Sequence, residues 1–419
     1  VKKRMYVLLS ILLVVSLSLM GCNSGASTAE GGSSSDGKTK TINFVHWRGE
    51  DNEAFSHLIK KFEEKNPGIK VQMNIYSSNS YQSKIQPTLL SGKGADVFAS
   101  FPGSRFSVLQ KAGAYEDLSD QEFLNSFSEN LLKAGQVDGK QLAVPFQLVY
   151  NQPVYNKGIF EELGLTPPDD WKGFLELCET LKKNGYIPLL WSGDISAGQF
   201  INPMVMNNQP TADALARIEK GEVKLTDEWF VKTLSQIKTL NDNGYLQENP
   251  LGTKKAGAAS MLAQEKGAML AHGSYIMATV KQQNPDIKLG LLAPITVPKD
   301  KAKYLGIHTA TFMLGINKNS KYKEAAAKFI EFLTQPENAS YYAKKTGQLL
   351  TLKEVEYDSP ALKESAKWVE KETLFQPRYM ITVPEVEQAI VTAVDDVIMG
   401  MDPEEAAKKA QEEVNRAIK

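Results

Sequence analysis

The stretch of about sixty residues that begins at Thr41 switches repeatedly between two hydrophobic periods, and this limits the fold more than any other feature of the chain. Thr41 to His46 reads as a strand. Phe55, Leu58, Ile59 and Phe62 then recur at i, i+3, i+4 and i+7, the spacing of one helix face. Asn66-Pro67-Gly68 stops that helix. Ile69, Val71, Met73 and Ile75 alternate as a half-buried strand does. A second helix covers about Ser80–Ser91, and Ala95 to Ala99 is a short buried strand after Gly92 and Gly94. A β-α-β-α-β run of this kind predicts an α/β domain with a mostly parallel sheet.

The same alternation continues. Leu142 to Tyr150 is an apolar run broken by Pro145. A helix follows at Asn156–Gly164, and Asp169-Asp170 caps another whose inner face is Phe174, Leu177, Cys178 and Leu181. Further helices are expected near 212–219, 227–243 and 257–264, with strands at Lys266–Leu270 and Asp286–Leu292. Pro294, Pro298 and the polar PKDKAK stretch read as a linker. Leu305 to Ile316 then reads as a strand pair or one bent strand. Ala326, Phe329, Ile330 and Leu333 mark a strong helix, Asn338–Lys345 a shorter one, and helices near 359–373, 384–399 and 403–417 finish the chain. At 419 residues the chain is too long for one compact core, so two domains are expected.

Residues 1–21 stand outside this pattern. Lys2, Lys3 and Arg4 precede an apolar run from Leu8 to Leu19, of signal-peptide length and short for a membrane span. The run ends in Leu19-Met20-Gly21-Cys22, which resembles a bacterial lipobox, whose Cys is acylated and becomes the new N-terminus. On this reading Cys22 is the lipidation site, palmitate or a similar acyl chain supplies the anchor, and the body sits on the outer face of a membrane. Residues 22–40 are rich in Ser and Gly and read as a flexible tether with a reach of roughly 20–25 Å.

Composition removes several classes of function. The 48 Lys+Arg balance 49 Asp+Glu, so no basic face for nucleic acid is expected. Two Cys exclude a disulfide scaffold, and four scattered His give no metal-ligand spacing. HExxH, Walker and G-x-S-x-G signatures are all lacking, and His272-Gly273-Ser274-Tyr275 is the nearest approach to the last. Neither catalytic residues nor a metal nor another cofactor is expected. The carboxylate pairs Glu50/Asp51 and Asp395/Asp396 are of a kind common on surfaces.

Six segments carry a pattern of their own: INFVHW followed by AFSHLIKKFEEKNPGIKVQM, then YQSKIQPTLLSGKGADVFAS, LQKAGAYEDLSD, QLAVPFQLVYNQPVYNKGIFEELGLTPPDDW, GAMLAHGSYI and KNSKYKEAAAKFIEFLTQPENASYYAKKTGQL. Together they resemble the extracellular solute-binding proteins of ABC importers, in the carbohydrate-binding group related to maltose-binding protein. The resemblance spans essentially all of 41–419. It implies a two-lobe periplasmic-binding-protein type II fold with a hinge and an interlobe ligand cleft. Crossings are expected near 147–150, 296–305 and 347–353, giving lobe one as 41–148 plus 306–350 and lobe two as 149–305 plus 351–419. It further implies a monomer that captures a mono- or oligosaccharide and delivers it to membrane permease subunits. Alternatives that stay open are a non-sugar solute (polyamine, peptide, or ferric iron on Tyr341-Tyr342), a surface glycoside hydrolase, and an adhesive lipoprotein.

A pyranose ring offers apolar faces and a rim of hydroxyls, so its site needs flat aromatics and planar polar groups. Clefts of open α/β sheets lie at the C-terminal ends of strands. That places Trp47, Arg48, Glu50 and Asp51 after the first strand, and Ser100 and Phe101 after the third, among the expected ligand contacts. Trp191 and Asp194 follow the Ile187–Leu190 run and join them, Trp191 as a sugar platform. The resemblance adds Tyr81 as a cleft aromatic, Gln147 and Tyr150 at the first crossing, and Ser274 and Tyr275 where the family more usually has Gly-x-Trp. His308 on the returning strand and Arg378 before the late helix complete the set. The late helix starts Val383-Pro384-Glu385-Val386 without a Trp, a departure that argues against long linear glucans.

Overall fold

The computed structural model describes residues 39–419. The leader, Cys22 and almost all of the expected tether lie outside the described residues. Eleven strands define the frame: β1 (Lys40–His46), β2 (Ile69–Ile75), β3 (Val97–Ser100), β4 (Val144–Tyr150), β5 (Val154–Asn156), β6 (Ile187–Leu190), β7 (Gly267–Leu270), β8 (Leu289–Leu291), β9 (Gly306–Ile316), β10 (Leu349–Leu350) and β11 (Thr373–Phe375). The first sheet has the order β10-β4-β9-β3-β1-β2, with β11 added beside the start of β9. The second has the order β8-β5-β7-β6.

β1, β2 and β3 are parallel, as the opening alternation predicts. The sheet as a whole is mixed, because β9 enters between β3 and β4 and runs antiparallel to both. β9 is one continuous strand, not a pair, and it bends at Phe312, whose φ of 48° is unusual for a bulky side chain. Pro145 does not break β4 but sits second in it, where strands tolerate proline. The segment expected as a helix at 359–373 is a helix only over Pro360–Ala366, and it ends in β11. Four helices among the described residues carry no clear periodic signal: Ser104–Lys111, Glu129–Leu132, Ser196–Val205 and Met277–Gln283.

Each sheet carries its own core. In the first, the helix Asn52–Lys65 buries Phe55, Leu58, Ile59 and Phe62, the four residues spaced for one face. Phe44 of β1 meets Phe55 at 5.2 Å and Phe329 at 5.4 Å, both edge to face. In the second, Asp170 caps the helix Trp171–Lys183 by accepting from the Gly173 amide at 2.7 Å. That helix buries Phe174, Leu177, Cys178 and Leu181, and the C-terminal helices Pro384–Ile398 and Pro403–Ala417 close over the same core. Cys178 is a small core hydrophobe, and burial raises its thiol pKa, keeping it protonated. The result is a two-lobed α/β molecule.

The chain passes between the sheets more than once. It leaves β4 at Tyr150 and enters β5 at Val154, returns after β8 to begin β9 at Gly306, and leaves β10 before rejoining the second core at Ile381. A third apolar cluster, which includes Leu148, Tyr150, Val154, Leu270, Leu349 and Trp368, packs around these passages. Among the described residues no helix is long and apolar enough to cross a membrane.

Candidate functional site

A cavity of about 430 Å³ opens between the two cores, within the usual range of about 300–1,000 Å³ for small-molecule sites. Its first wall is built on the turn after β1. The backbone amide of Arg48 donates to His46 Nδ1 at 3.1 Å, which requires that ring nitrogen to be unprotonated. Burial pushes His46 down to about 3, with the Arg48 charge acting in the same direction. The Arg48 guanidinium then pairs with Asp51 through both Nε and Nη2, the latter at 3.2 Å. Asp51 also accepts from the Tyr342 hydroxyl and from Gln147 Nε2. Asp51 is therefore an anchor for Arg48 and does not line the cavity.

Beside Arg48, Trp47 stacks on Phe101 with ring centroids 3.8 Å apart and planes tilted by 20°. Tyr81 and Phe312 meet Trp47 edge-on at 5.1 and 5.2 Å and support it from behind. Both stacked rings are half-buried, so part of the pair faces the cavity.

The opposite wall comes from the second lobe. Asp194 holds the start of the helix Lys255–Ala263 by accepting from the Lys255 amide at 3.0 Å. Gly193 is obligatory in that turn, since a Cβ there would lie 1.9 Å from the Leu251 carbonyl oxygen. Lys255 lies 5.4 Å from the Tyr275 ring centre, and burial lowers its pKa. It makes no ion pair among the described residues. Arg378 pairs with Glu387, and its guanidinium covers the Tyr379 ring at 4.7 Å. The cavity wall holds four cations (Arg48, Arg105, Lys255, Arg378) and four carboxylates (Glu50, Asp194, Glu387, Asp395), so it is close to electroneutral.

Of the fifteen expected contacts, eight line this cavity: Trp47, Arg48, Glu50, Phe101, Gln147, Asp194, Tyr275 and Arg378. The other seven are placed elsewhere, for reasons visible in the fold. On a strand the side chains alternate faces. On β4, Gln147 and Val149 line the cavity, as does Asn151 just after it, so Tyr150 points the other way and packs near Trp368. On β9, Thr309 and Thr311 face the cavity and His308 does not; it bonds Thr373 at 2.9 Å. Tyr81 is buried with its hydroxyl on the Ala99 carbonyl. Ser100 is buried beneath Phe101, beside a side pocket of about 60 Å³. Ser274 is occupied in accepting from the Tyr150 amide at 3.1 Å. Asp51 serves Arg48, as described.

Trp191 is the largest correction. It is 1% exposed, and Gln247 holds its backbone from both sides. Its ring packs edge-on against Phe200 at 5.6 Å, under the helix Ser196–Val205. It is a core residue rather than an exposed platform.

The structure adds cavity residues that the sequence reading did not name as contacts. Five buried polar atoms of wall residues lack a hydrogen-bond partner among the described residues: Asn151 Oδ1, Gln199 Oε1, Thr309 Oγ1 and Asp395 Oδ1, with Nε of the already expected Arg378. Unpartnered buried polar atoms are costly, and these five belong to residues that line the cavity, so a polar ligand there would sit beside them. Burial and the neighbouring Asp396 push the Asp395 carboxyl up to about 6. The cavity face of the helix Pro384–Ile398 is the row Pro384, Glu387, Gln388, Val391 and Asp395. Its i, i+3, i+4, i+7, i+11 spacing was available in the sequence as a second, more polar stripe.

Two arrangements that could suggest other chemistry lie away from the cavity. Ser192 Oγ sits 2.8 Å from His272 Nε2, as in a nucleophile–base pair, but both residues are buried, and burial pushes His272 down to about 3. Tyr342 is sealed against Asp51, and Tyr341 stacks on His57 at 4.4 Å, so neither tyrosine faces the cavity.

Comparison with known proteins agrees with this architecture. The family model for bacterial extracellular solute-binding proteins matches residues 48–340. The multiple sugar-binding protein of Streptococcus mutans is 26% identical over 360 residues, covering 84% of this chain and 83% of that one. The melibiose/raffinose/stachyose-binding protein of Bacillus subtilis is 26% identical over 350 residues, covering 81% and 78%. Among solved structures, the binding protein RafE in complex with raffinose superposes with a TM-score of 0.79 at 22% identity, covering 91% of this chain and all of that one. A chitin oligosaccharide binding protein gives 0.80 at 19% identity, covering 91% and 99%.

Proposed function

The chain belongs to the bacterial extracellular solute-binding protein family, and from that premise we propose that it captures a neutral mono- or oligosaccharide between its lobes and passes it to the transmembrane subunits of an ABC importer. The observation that carries this reading is the wall itself. A stacked Trp47–Phe101 pair stands in a nearly electroneutral cavity whose buried polar atoms await partners. The aromatic pair suits the apolar face of a sugar ring. Asn151, Gln199, Thr309 and Asp395 suit its hydroxyls, and Arg48 and Arg378, each already oriented by a carboxylate, offer fixed donors. The names of the sugar-binding relatives support the same class of solute.

The lobes on this reading are 41–148 with 306–350, and 149–305 with 351–419, turning about the chain passages near 147–150, 296–305 and 347–353, except that Leu352 packs in the first core and β11 pairs with β9 of the first sheet, so the last passage extends to Phe375. Closure draws on the ligand's greater affinity for the closed form, and no covalent step is involved. The relatives are binding proteins, and the buried Ser192–His272 pair has no access to the cavity, which supports a role other than catalysis. Acylation at Cys22 would hold the body outside the membrane, beside its permease.

A thermal-shift screen tests the proposal. The panel holds raffinose, stachyose, melibiose and chitin oligosaccharides, with spermidine and ferric citrate as rivals. A ligand at about 100 times its dissociation constant stabilises by about 2.7 kcal/mol, a shift of a few degrees in a chain this size. The expected result is a shift with one saccharide class that Trp47→Ala abolishes. A shift confined to spermidine or ferric citrate would overturn the sugar reading.

A further inference from the structure

Glu387 lies on the helix Pro384–Ile398, 8% exposed, between the two lobes. Its carboxylate oxygens have different partners. Oε1 pairs with Arg378 of the same lobe. Oε2 accepts from the hydroxyl of Ser104, which begins the helix Ser104–Lys111 on the opposite lobe and is fully buried. The lobes press together at this point. Gly103 has a φ of 73°, and a Cβ on it would stand 2.9 Å from the Cα and carbonyl oxygen of Tyr379. Arg378 is fixed from behind, where its amide donates to Asn202 Oδ1 at 3.0 Å and a Cβ on Gly198 would lie 3.3 Å from its Cζ. Arg378 lines the cavity, and its buried Nε atom has no hydrogen-bond partner among the described residues.

We infer that Glu387 is a positioning residue that ties ligand contact to lobe closure. A ligand oxygen on the cavity side of Arg378 holds the guanidinium still. The guanidinium holds Glu387, and Glu387 offers its second oxygen to Ser104 across the cleft. A buried carboxylate must keep both oxygens bonded, so opening the cleft exchanges Ser104 for water, and closing expels that water. Coupling of this kind is reciprocal: whatever factor Ser104 adds to closure, it adds to the hold on the ligand. The inference rests on the cavity being the ligand site.

The test uses single-molecule energy transfer between dyes on Lys60→Cys and Lys172→Cys, exposed residues of the first and second lobes. It compares the wild-type residue with Ser104→Ala and Glu387→Gln. Ser104→Ala is expected to lower the closed-to-open ratio about tenfold or more, from the loss of a hydrogen bond to a charged group. Raffinose dissociation, followed by stopped-flow tryptophan fluorescence, should quicken by a similar factor while association stays unchanged. Glu387→Gln also removes the partner of Arg378, so its effect should be larger. An unchanged ratio and dissociation rate in Ser104→Ala would overturn the inference. A loss of affinity in Glu387→Gln alone would do so too, because Glu387 would then merely support Arg378. A wild-type protein with no closed population, with or without raffinose, overturns it as well. Failure of every saccharide to bind refutes the sugar reading instead, and the ligand-free ratio still decides the role of Glu387.

Discussion

Acidification should weaken this fold through its imidazoles. Burial pushes His46 and His272 down to about 3 and His308 to about 4. In the unfolded chain each returns to about 6.5. Between those values the unfolded chain binds a proton that the folded one refuses, so stability falls as pH drops through 6.5 and levels off below the folded values. Going from about pH 7.5 to about pH 5 costs about 2 kcal/mol per imidazole, or about 4–6 kcal/mol for the three with some solvent screening. That is a large part of the usual 5–15 kcal/mol or so. Asp395 opposes it. Its carboxyl is held up at about 6 by burial and by Asp396, so its ionisation is unfavourable at neutral pH and acid relieves the cost, but its partial exposure makes this a minor offset. Urea unfolding followed by tryptophan fluorescence at the two pH values should show clearly lower midpoints in acid. Imidazole proton resonances of these three residues should stay unprotonated down to about pH 5. Equal midpoints, or resonances that titrate near 6.5, would refute the argument.

Trp191→Ala should cost about 3–5 kcal/mol in a thermal melt, the penalty for removing a buried aromatic, while the folded fraction keeps its affinity for whichever saccharide shifts the wild-type protein in the screen. An unchanged melt with lost affinity would return Trp191 to the cleft. Trp47→Ala should do the reverse in calorimetry, lowering saccharide affinity at least about tenfold with a smaller loss of stability, because only part of the ring is buried. Asp51→Asn leaves the buried Arg48 charge with only the more exposed Glu50 at 3.7 Å and should cost up to about 3–5 kcal/mol in urea unfolding. A change below about 1 kcal/mol would mean the Arg48–Asp51 pair does not organise the wall.

Much of the frame could be read from periodicity, because long amphipathic elements such as Asn52–Lys65 repeat their signal several times. β9 was harder. Nothing local shows that a strand near residue 310 enters a sheet begun near residue 40, and that long-range pairing makes the sheet mixed. The helix Ser196–Val205 was hidden because nine of its ten residues are buried, which leaves no polar face to alternate with, and because it contains Gly198 and Pro203. Its absence from the sequence reading caused the misplacement of Trp191, which looked like a loop residue with nothing above it. Strand parity could have separated Gln147 from Tyr150, and placed Asn151 with Gln147, without any coordinates. Gln199 and Arg378 acquire their roles only when distant segments meet, and no spacing announces that.

The position of β9 also governs how the molecule is made. A ribosome adds the stretch between Ser100 and Gly306 in roughly 10–40 s, and for all of that time β3 has no partner on its outer edge. β4 waits in the same way for both of its neighbours, β9 and β10. Until about three quarters of the chain has been synthesised the first sheet can hold only β1, β2 and β3 together, with β4 isolated, because β9, β10 and β11 all come later. Nascent chains arrested before Gly306 should be cut by protease throughout 40–150, and only chains that extend beyond Ile316 should resist. A polypeptide with this delay stays threadable while it is still being translated, which suits one that must pass through a secretion channel before it folds.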